Sequence, residues 1–348
     1  MTGATRAVVV DDSHFMRTVV SDILEDGGID VVATASDGAE AVDAVAEHAP
    51  DVVTMDVEMP NVNGIEAVER IMADRPTPVL MLSAHTDDGA DVTFEALEKG
   101  AVDFFTKPGG EVSTKMSTME DQLVRKVKSV AGATVSGTTR QPSTETTRRD
   151  GYDENVTVVV ASSTGGPTVV EEVVGSLPLE ANLRVFVVQH MPNGFTGRFA
   201  DRLDAASEYA VREASDGDRV SGGEILVAAG GTHLSISGYA RGRARVKLTD
   251  DPPVHGVRPA ADVTMQSAAE QIDDPLVGVV LTGMGGDGAA GVEEIGRAGG
   301  HVVAQDEDTS AVFGMPKRAI ETGYVDDVRP VGEIPDAILD SIEREATV

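Results

Sequence analysis

Reactive side chains follow several short apolar runs in the first third of the sequence. Asp11 and Asp12 follow the first run, Asp56 ends the third, Ser83 follows the fourth and Lys107 follows the fifth. The carboxyl ends of parallel strands meet at one edge of a sheet, so we expect these five groups to lie together. Converging carboxylates repel one another unless a hard cation such as Mg²⁺ neutralises them. The pattern predicts a Mg²⁺ site in which Asp56 is the candidate nucleophile for an acyl phosphate.

A structural interpretation of the same residues competes with this one. Asp11 and Asp12 could cap the helix that follows them, and Lys107 could be a solvated surface charge. Each residue taken alone favours the structural interpretation, whereas five of them on one edge favour the phosphoryl site.

The second half of the sequence lacks an obvious metal-ligand pattern, so its chemistry is sought in serine. An apolar strand breaks at ASSTGGP into a glycine-rich turn, which places the hydroxyl of Ser163 beside free backbone N–H groups. A serine nucleophile needs a histidine base oriented by a carboxylate. His190 follows the second strand of this half, and Asp287 lies in the glycine-rich loop after the fourth. Backbone N–H groups around Met284 and Gly285 in this loop could form an oxyanion hole.

Alternatives remain open both for the individual residues of this half and for the function of the chain. Ser163 and Thr164 could be helix N-caps, the segment GMGGDG could cradle a phosphate, and His190 could be structural. The chain could also be a serine hydrolase of small esters linked to the phosphoryl-transfer domain, or a non-enzymatic module that binds a nucleotide. A nucleotide site would need G-x-G-x-x-G directly after a strand and a later acidic ribose contact, which the sequence does not offer.

The elements that must position these groups alternate between β-branched runs and amphipathic segments. Five such pairs up to residue 130 predict a flavodoxin-like (βα)5 domain. Residues 131–154 are rich in Thr, Ser, Gly and charge and are predicted to be a flexible linker. The alternation resumes over 155–348, which predicts a doubly wound, mostly parallel α/β hydrolytic domain, and RARVKL (243–248) predicts a hairpin arm.

Composition narrows the class of protein. The net charge of −31 argues against binding to nucleic acid or to anionic membranes, which bind clustered Lys and Arg. Such acidity suggests a salty cytoplasm, where ionic strength screens self-repulsion, although an acidic face for one partner is an alternative. Cysteine is absent, which excludes disulfides and thiolate catalysis. With neither a long apolar run nor a signal-peptide pattern, we expect a cytoplasmic protein that does not insert into membranes.

The first half resembles the receiver domain of two-component response regulators over about residues 6–128. The similarity lies in VDDS (10–13), MDVEMPNVNG (55–64), LSA (82–84) and FFTKP (104–108). The resemblance implies that Asp56 accepts a phosphoryl group and that Lys107 contacts the phosphate. It further implies that Asp11, Asp12, Asp56 and the backbone carbonyl of Glu58 hold Mg²⁺, and that Ser83 and Phe104 occupy the hydroxyl and aromatic switch positions.

The second half resembles the catalytic domain of the CheB family of chemotaxis protein-glutamate methylesterases. The similarity lies in ASSTGGP (161–167), VVQHMP (187–192), ILVAAGGTH (225–233), VRPAADV (257–263), LTGMGGDGA (281–289) and AQDEDTSAVFGMP (304–316). It implies a catalytic triad of Ser163, His190 and Asp287 with the Met284 backbone as oxyanion donor. Thr164 and His233 lie in matching segments near the site. The sequence departs from the family at VHGVR (254–258), which includes His255 and Arg258.

The resemblance also implies a function. The enzyme would hydrolyse glutamate methyl esters of chemoreceptors to glutamate and methanol, could deamidate receptor glutamines, and would be controlled by phosphorylation from a chemotaxis histidine kinase. Mg²⁺ would be the cofactor of the receiver, and the esterase site would need none.

Overall fold

The computed structural model describes residues 4–83, 87–107, 116–133, 152 and 154–343. The chain divides into two compact units, Met1–Gln141 and Pro142–Val348. Most of the predicted linker (131–154) lies outside the described residues, as do Ala84 and Pro108 of the receiver-like motifs. The linker therefore stays a prediction.

The first unit is a five-stranded parallel sheet with the order β2-β1-β3-β4-β5. This is the flavodoxin-like order, in which ligands bind where the order reverses. The strands are β1 (Arg6–Val10), β2 (Asp30–Ala35), β3 (Val52–Asp56), β4 (Val79–Ser83) and β5 (Asp103–Thr106). The helices are α1 (His14–Asp26), α2 (Gly38–His48), α3 (Gly64–Asp74), α4 (Asp87–Glu98) and α5 (Met116–Ala131).

Local sequence explains these boundaries. Every residue of β3 and β4 is buried, as expected for central parallel strands covered on both faces. Ser13, Asp37 and Asn63 each accept hydrogen bonds from backbone N–H groups of the helix that follows them. The chain therefore turns sharply at the carboxyl edge of the sheet, where the predicted phosphoryl site lies.

The second unit is built on a seven-stranded parallel sheet with the order β15-β14-β13-β6-β7-β10-β8. The strands of this sheet are β6 (Thr157–Ser162), β7 (Arg184–Gln189), β8 (Ala210–Glu213), β10 (Glu224–Val227), β13 (Leu276–Val280), β14 (His301–Gln305) and β15 (Asp327–Arg329). The helices are α6 (Gly166–Gly175), α7 (Phe195–Ala206), α8 (Ala261–Gln271), α9 (Ala289–Arg297), α10 (Met315–Glu321) and α11 (Ile334–Asp340).

An antiparallel sheet of β9 (Arg219–Val220), β11 (His233–Ala240) and β12 (Arg243–Thr249) accompanies the parallel one. The predicted hairpin arm is confirmed as β12, which pairs antiparallel with β11. The α/β fold class is confirmed for both halves. The sequence analysis did not predict β8, β9, β11 or β15. Of these, β8, β9 and β15 are two to four residues long and have mostly half-exposed or exposed residues.

The core of the second unit lies between the central strands and the helices that cover them. Phe186, Leu226, Val280, Ile295 and Met315 belong to one contiguous buried cluster. The apolar residues of the central strands are buried on both faces, so the polar residues that end them stand out as candidates for function. Among the described helices, none has the length and apolar character needed to cross a bilayer.

Candidate active site and phosphoacceptor site

The carboxyl edge of the first sheet brings three of the predicted residues into direct contact. The Nζ atom of Lys107 lies 2.7 Å from Oδ2 of Asp11 and 2.7 Å from Oδ1 of Asp56. Both carboxylates are buried, Asp11 completely and Asp56 to 7% exposure. One ammonium group thus bridges two buried carboxylates, which is the charge arrangement predicted for a phosphoacceptor site.

Opposing interactions act on the pKa of Asp56. Burial is the largest influence on the pKa of Asp56 and raises it; the bonded Lys107 ammonium lowers it, and the Asp11 charge raises it again. The net pKa of Asp56 is above its usual value. The Val57 backbone N–H donates to Oδ1 of Asp56 at 2.8 Å, which fixes the carboxylate at the end of β3.

The same edge offers a donor set that fits a hard cation. Carboxylate oxygens of Asp11, Asp12 and Asp56 lie within 4.8 Å of one another. Oxygen-only ligands with a net negative charge suit Mg²⁺, which keeps several of its own waters. Glu58, whose backbone carbonyl was predicted as a further ligand, follows Asp56 by two residues and has an exposed side chain.

The two predicted switch residues lie close to this edge. Ser83 ends β4, and its Oγ accepts a hydrogen bond from Oγ1 of Thr93 at 2.8 Å. Phe104 is 3% exposed and meets Phe94 edge to face, with ring centroids 6.3 Å apart. The aromatic ring therefore points into the unit, and its switch role stays a prediction.

In the second unit the predicted base and acid form a hydrogen-bonded pair. The Nε2 atom of His190 lies 2.7 Å from Oδ2 of Asp287. Asp287 is 2% exposed, and the His190 side chain is largely covered. The two residues come from the end of β7 and the loop after β13, which are separated by 97 positions.

Asp287 is held by more than His190. The backbone N–H groups of Ala261 and Asp262 donate to its Oδ2 and Oδ1 at 2.6 and 3.0 Å. Burial acts most strongly on the pKa of Asp287 and would raise it, but the interactions with His190 and the two N–H donors together outweigh burial. The pKa of Asp287 is consequently below its usual value, and the group is a carboxylate at neutral pH.

Ser163 lies beside His190 without a hydrogen bond between the side chains. Ser162 and Gln189 are the last pair of register partners in β6 and β7. Ser163 and His190 directly follow them and therefore leave neighbouring strands at the same level. The Ser163 N–H donates to the Thr282 carbonyl at 3.0 Å, which holds the serine backbone in place. Within the described part of the chain, the Ser163 hydroxyl forms no hydrogen bond. The predicted triad is thus a formed pair with a neighbouring serine.

The predicted oxyanion loop lies directly against the serine. A Cβ atom added to Gly283 would lie 2.8 Å from the Cβ atom of Ser163 and closer still to Sδ of Met315, so only glycine fits without a shift of its neighbours. The Gly283 carbonyl accepts hydrogen bonds from the N–H groups of Gly314 and Met315 at 3.1 and 2.7 Å. These bonds fix the peptide that leads to Met284, whose side chain is 37% exposed.

The remaining predicted residues have structural contacts. Thr164 is buried, and its carbonyl accepts from Oγ1 of Thr282 at 2.9 Å. His233 is buried, with Nε2 at 3.2 Å from the Pro252 carbonyl. Arg258 donates through Nη1 to the carbonyls of Asp250 and Asp251. Their functional roles stay predictions.

Sequence reasoning missed two residues that support the site. Gln189 is buried and donates through Nε2 to the Ser163 carbonyl at 2.8 Å. Asp262 is buried beside Asp287, and its Oδ2 lies 2.8 Å from Nε2 of His255. A signal existed for Gln189, which is a polar residue at the end of an apolar strand. For Asp262 the signal was its place in the motif VRPAADV (257–263), whereas its contact with Asp287 depends on how α8 packs.

His255, Asp262 and Asp287 also offer ligand atoms within 4.8 Å of one another. The sequence predicted no metal-ligand pattern in this half, because these residues lie far apart along the chain. Their atoms are already engaged in hydrogen bonds with His190 and with backbone N–H groups.

Comparison with known proteins gives one family match for each part of the chain. Residues 158–338 match the CheB methylesterase family, and residues 7–115 match the response regulator receiver domain. A protein of Haloarcula marismortui is 61% identical over all of both chains, and one of Natronomonas pharaonis is 63% identical over 97% of this chain and 98% of its own. Both are named protein-glutamate methylesterase/protein-glutamine glutaminase.

A solved structure supports the fold of the second unit. The CheB methylesterase catalytic domain of Thermotoga maritima is 42% identical, covers 53% of this chain and 97% of its own length, and superposes with a TM-score of 0.51. The chain is therefore a hydrolase with a receiver domain. It belongs to the CheB methylesterase family, which confirms the resemblance seen in the sequence.

Proposed function

We propose that the chain removes methyl groups from glutamate side chains of chemoreceptors, and that phosphorylation of Asp56 controls the reaction. The His190–Asp287 hydrogen bond beside Ser163 carries the proposal, because a buried His–carboxylate pair is what a serine nucleophile requires. The names of the relatives support the substrate, since they combine methylesterase and glutaminase activity.

The proton acceptor would be the Nδ1 atom of His190. Its Nε2 atom faces Asp287, whose carboxylate can only accept, so Nε2 carries the proton and Nδ1 keeps its lone pair. A side-chain rotation of Ser163 would bring its hydroxyl to Nδ1, because the two residues follow paired strand ends. Asp287 then stabilises the imidazolium that forms when the serine proton moves.

In the reaction, the Ser163 oxygen attacks the γ-carbonyl of the glutamate ester and forms a tetrahedral oxyanion. The backbone N–H of Met284 would stabilise that charge. Collapse of this intermediate, with a proton from His190, releases methanol and leaves an acyl-enzyme. Water activated by the same ring then releases Ser163 and a free glutamate. Deamidation of a receptor glutamine follows the same steps, with ammonia as the leaving group.

The receiver would take its phosphoryl group from a chemotaxis histidine kinase. Asp11, Asp12, Asp56 and the Glu58 carbonyl would hold Mg²⁺, which neutralises charge on the phosphoryl group when it is bound. Lys107 already contacts both buried carboxylates and would turn to the phosphate. Ser83 and Phe104 would occupy the hydroxyl and aromatic switch positions, and their side chains would rearrange when Asp56 is phosphorylated.

Methanol release from methyl-labelled receptor membranes tests the activity. The wild-type chain should release methanol, and Ser163→Ala should abolish the release while the circular dichroism spectrum is unchanged. A wild-type chain that hydrolyses small esters but spares the receptors would contradict the proposed substrate.

Control by phosphorylation has its own test. A small phosphodonor such as acetyl phosphate, added with Mg²⁺, should change the rate of the wild-type chain and leave that of Asp56→Asn unchanged. An equal response in both proteins would show that Asp56 is not the control point.

A further inference from the structure

A surface depression of about 460 Å³ adjoins the oxyanion loop of the second unit. It is lined by Gly285, Gly286, Gly314, Lys317, Arg318 and Glu321. The proposed mechanism uses none of its three charged side chains. The depression is therefore a candidate for contacts with parts of the substrate other than the ester.

The depression shares a wall with the catalytic centre. Gly283 lies against Ser163, and Gly285 is two residues further along the same loop. Two residues of extended chain span at most about 7 Å, so a group bound in the depression lies near the attacked carbonyl. On the other side of the loop, Gly314 lies against the Met284 backbone and leads into α10, which carries the charged residues.

Two of the three charged residues that line the depression are basic, which is unusual for such an acidic chain. The sequence has 59 acidic and 28 basic residues, and Lys247 and Lys317 are the two lysines between residues 142 and 348. Lys317 is exposed, and among the residues that the structure describes it has no ion-pair partner. Arg318 beside it is held by Glu321 at 2.8 Å. An unpaired ammonium beside the active site of such an acidic protein would attract an anionic group on its substrate.

We propose that Lys317 and the depression beside it bind a free carboxylate of the receptor segment that carries the methyl ester. The inference rests on the proposed function and deepens it: the preferred substrate is an acidic segment with an unmethylated Glu or Asp close to the esterified glutamate. On a helical segment that residue would lie three or four positions away, with its Cβ about 5–6 Å from that of the ester.

Glu321 would tune this contact. Its carboxylate competes for Arg318 at one edge of the depression and adds negative charge there. Removal of that charge should free Arg318 for the substrate. Lys317 and Glu321 should therefore change substrate affinity in opposite directions, whereas a purely structural role would make both substitutions harmful.

The test measures KM and kcat for methanol release from labelled receptor membranes, with the full chain, at the lowest salt at which it stays folded. Lys317→Glu should raise KM about five- to tenfold with little change in kcat, and Glu321→Gln should lower KM about twofold. Lys317→Arg should retain most of the affinity. Lys247→Glu is the matched control, because Lys247 is the other exposed lysine of this unit and lies on β12.

Three results separate the outcomes. An unchanged KM in Lys317→Glu, or an equal rise in Lys247→Glu, would overturn the inference while the methylesterase activity stands. Rising salt should reduce the difference between wild type and Lys317→Glu, since screening weakens exposed charge pairs. A wild-type chain that releases no methanol would instead refute the proposed function.

Discussion

The backbone N–H of Asp262 donates to Oδ1 of Asp287 at 3.0 Å, which joins two buried carboxylates at the amino end of α8. Each carboxylate also contacts a histidine, His190 for Asp287 and His255 for Asp262. The two acids respond oppositely to this environment, since the pKa of Asp287 is lowered and that of Asp262 is raised. We therefore expect substitutions of Asp287 and Asp262 to differ in their effect on activity and in the pH dependence of their effect on stability.

Asp287→Asn should reduce kcat for methanol release by about 10³- to 10⁴-fold. Both Asp287 oxygens accept from backbone N–H groups, so an amide NH₂ at this position must face a donor and cannot hold the His190 ring as the carboxylate does. Asp262→Asn is the matched control, because it leaves the His190–Asp287 bond in place. A comparable loss of kcat in the control would contradict the assignment of Asp287 as the acid of the site.

Asp262→Asn should become less destabilising as the pH rises. Burial, followed by the charge of Asp287, raises the pKa of Asp262 above 3.8, so the folded state binds this proton more tightly than the unfolded chain. The contribution of Asp262 to wild-type stability is therefore fully present below pH 3.8, the ordinary pKa. It is lost as the pH rises through the raised pKa of the folded state. Asparagine does not titrate and escapes the loss. Calorimetry of both proteins between about pH 4 and about pH 7 checks the trend.

The contribution of Asp287 to stability should depend on pH in the opposite direction. Its lowered pKa means that the folded state favours the carboxylate, so the contribution is present above 3.8 and is lost as the pH falls through the folded pKa. Asp287→Asn should therefore be most destabilising near neutral pH and less so in acid. The same calorimetric series measures this, and a destabilisation that grows towards low pH would contradict it.

Gly283→Ala should reduce esterase activity by more than about 100-fold while the chain still folds, since loss of one oxyanion donor has an effect of this size. The new methyl group would lie 2.8 Å from Ser163 Cβ and closer still to Sδ of the buried Met315, so the oxyanion loop would have to move away from both residues. Gly238→Ala in β11 is the control, because nothing lies within 4 Å of a Cβ added there. Equal activity of the two variants would place the oxyanion donor elsewhere.

Lys107→Ala should lower the stability of the receiver by about 1–3 kcal/mol, because it leaves Asp11 and Asp56 buried together without a cation. Addition of about 10 mM Mg²⁺ should recover part of the loss, since the same carboxylates are the proposed ligands. Thermal melts with and without Mg²⁺ measure both effects. Lys99→Ala, which removes an exposed ion pair with Glu69, should show neither.

The sequence by itself determined the fold class and the location of the reactive groups. Long β-branched runs predicted the central strands, because parallel strands buried on both faces must be apolar throughout. The polar residues that end those runs, among them Asp56, Ser163 and His190, then had to lie at the carboxyl edge of a sheet. Short strands such as β8 and β15 escaped prediction, since three or four residues carry too little periodicity.

Only the tertiary structure decided how these groups meet. It placed Nε2 of His190 rather than Nδ1 towards Asp287, set Lys107 between Asp11 and Asp56, and joined Asp262 to Asp287. These contacts connect residues from different strands and loops, and the packing of helices such as α8 on the sheet fixes their separations. Chain spacing determines which edge a side chain reaches, whereas ring orientation and charge pairing depend on neighbours that are distant in sequence.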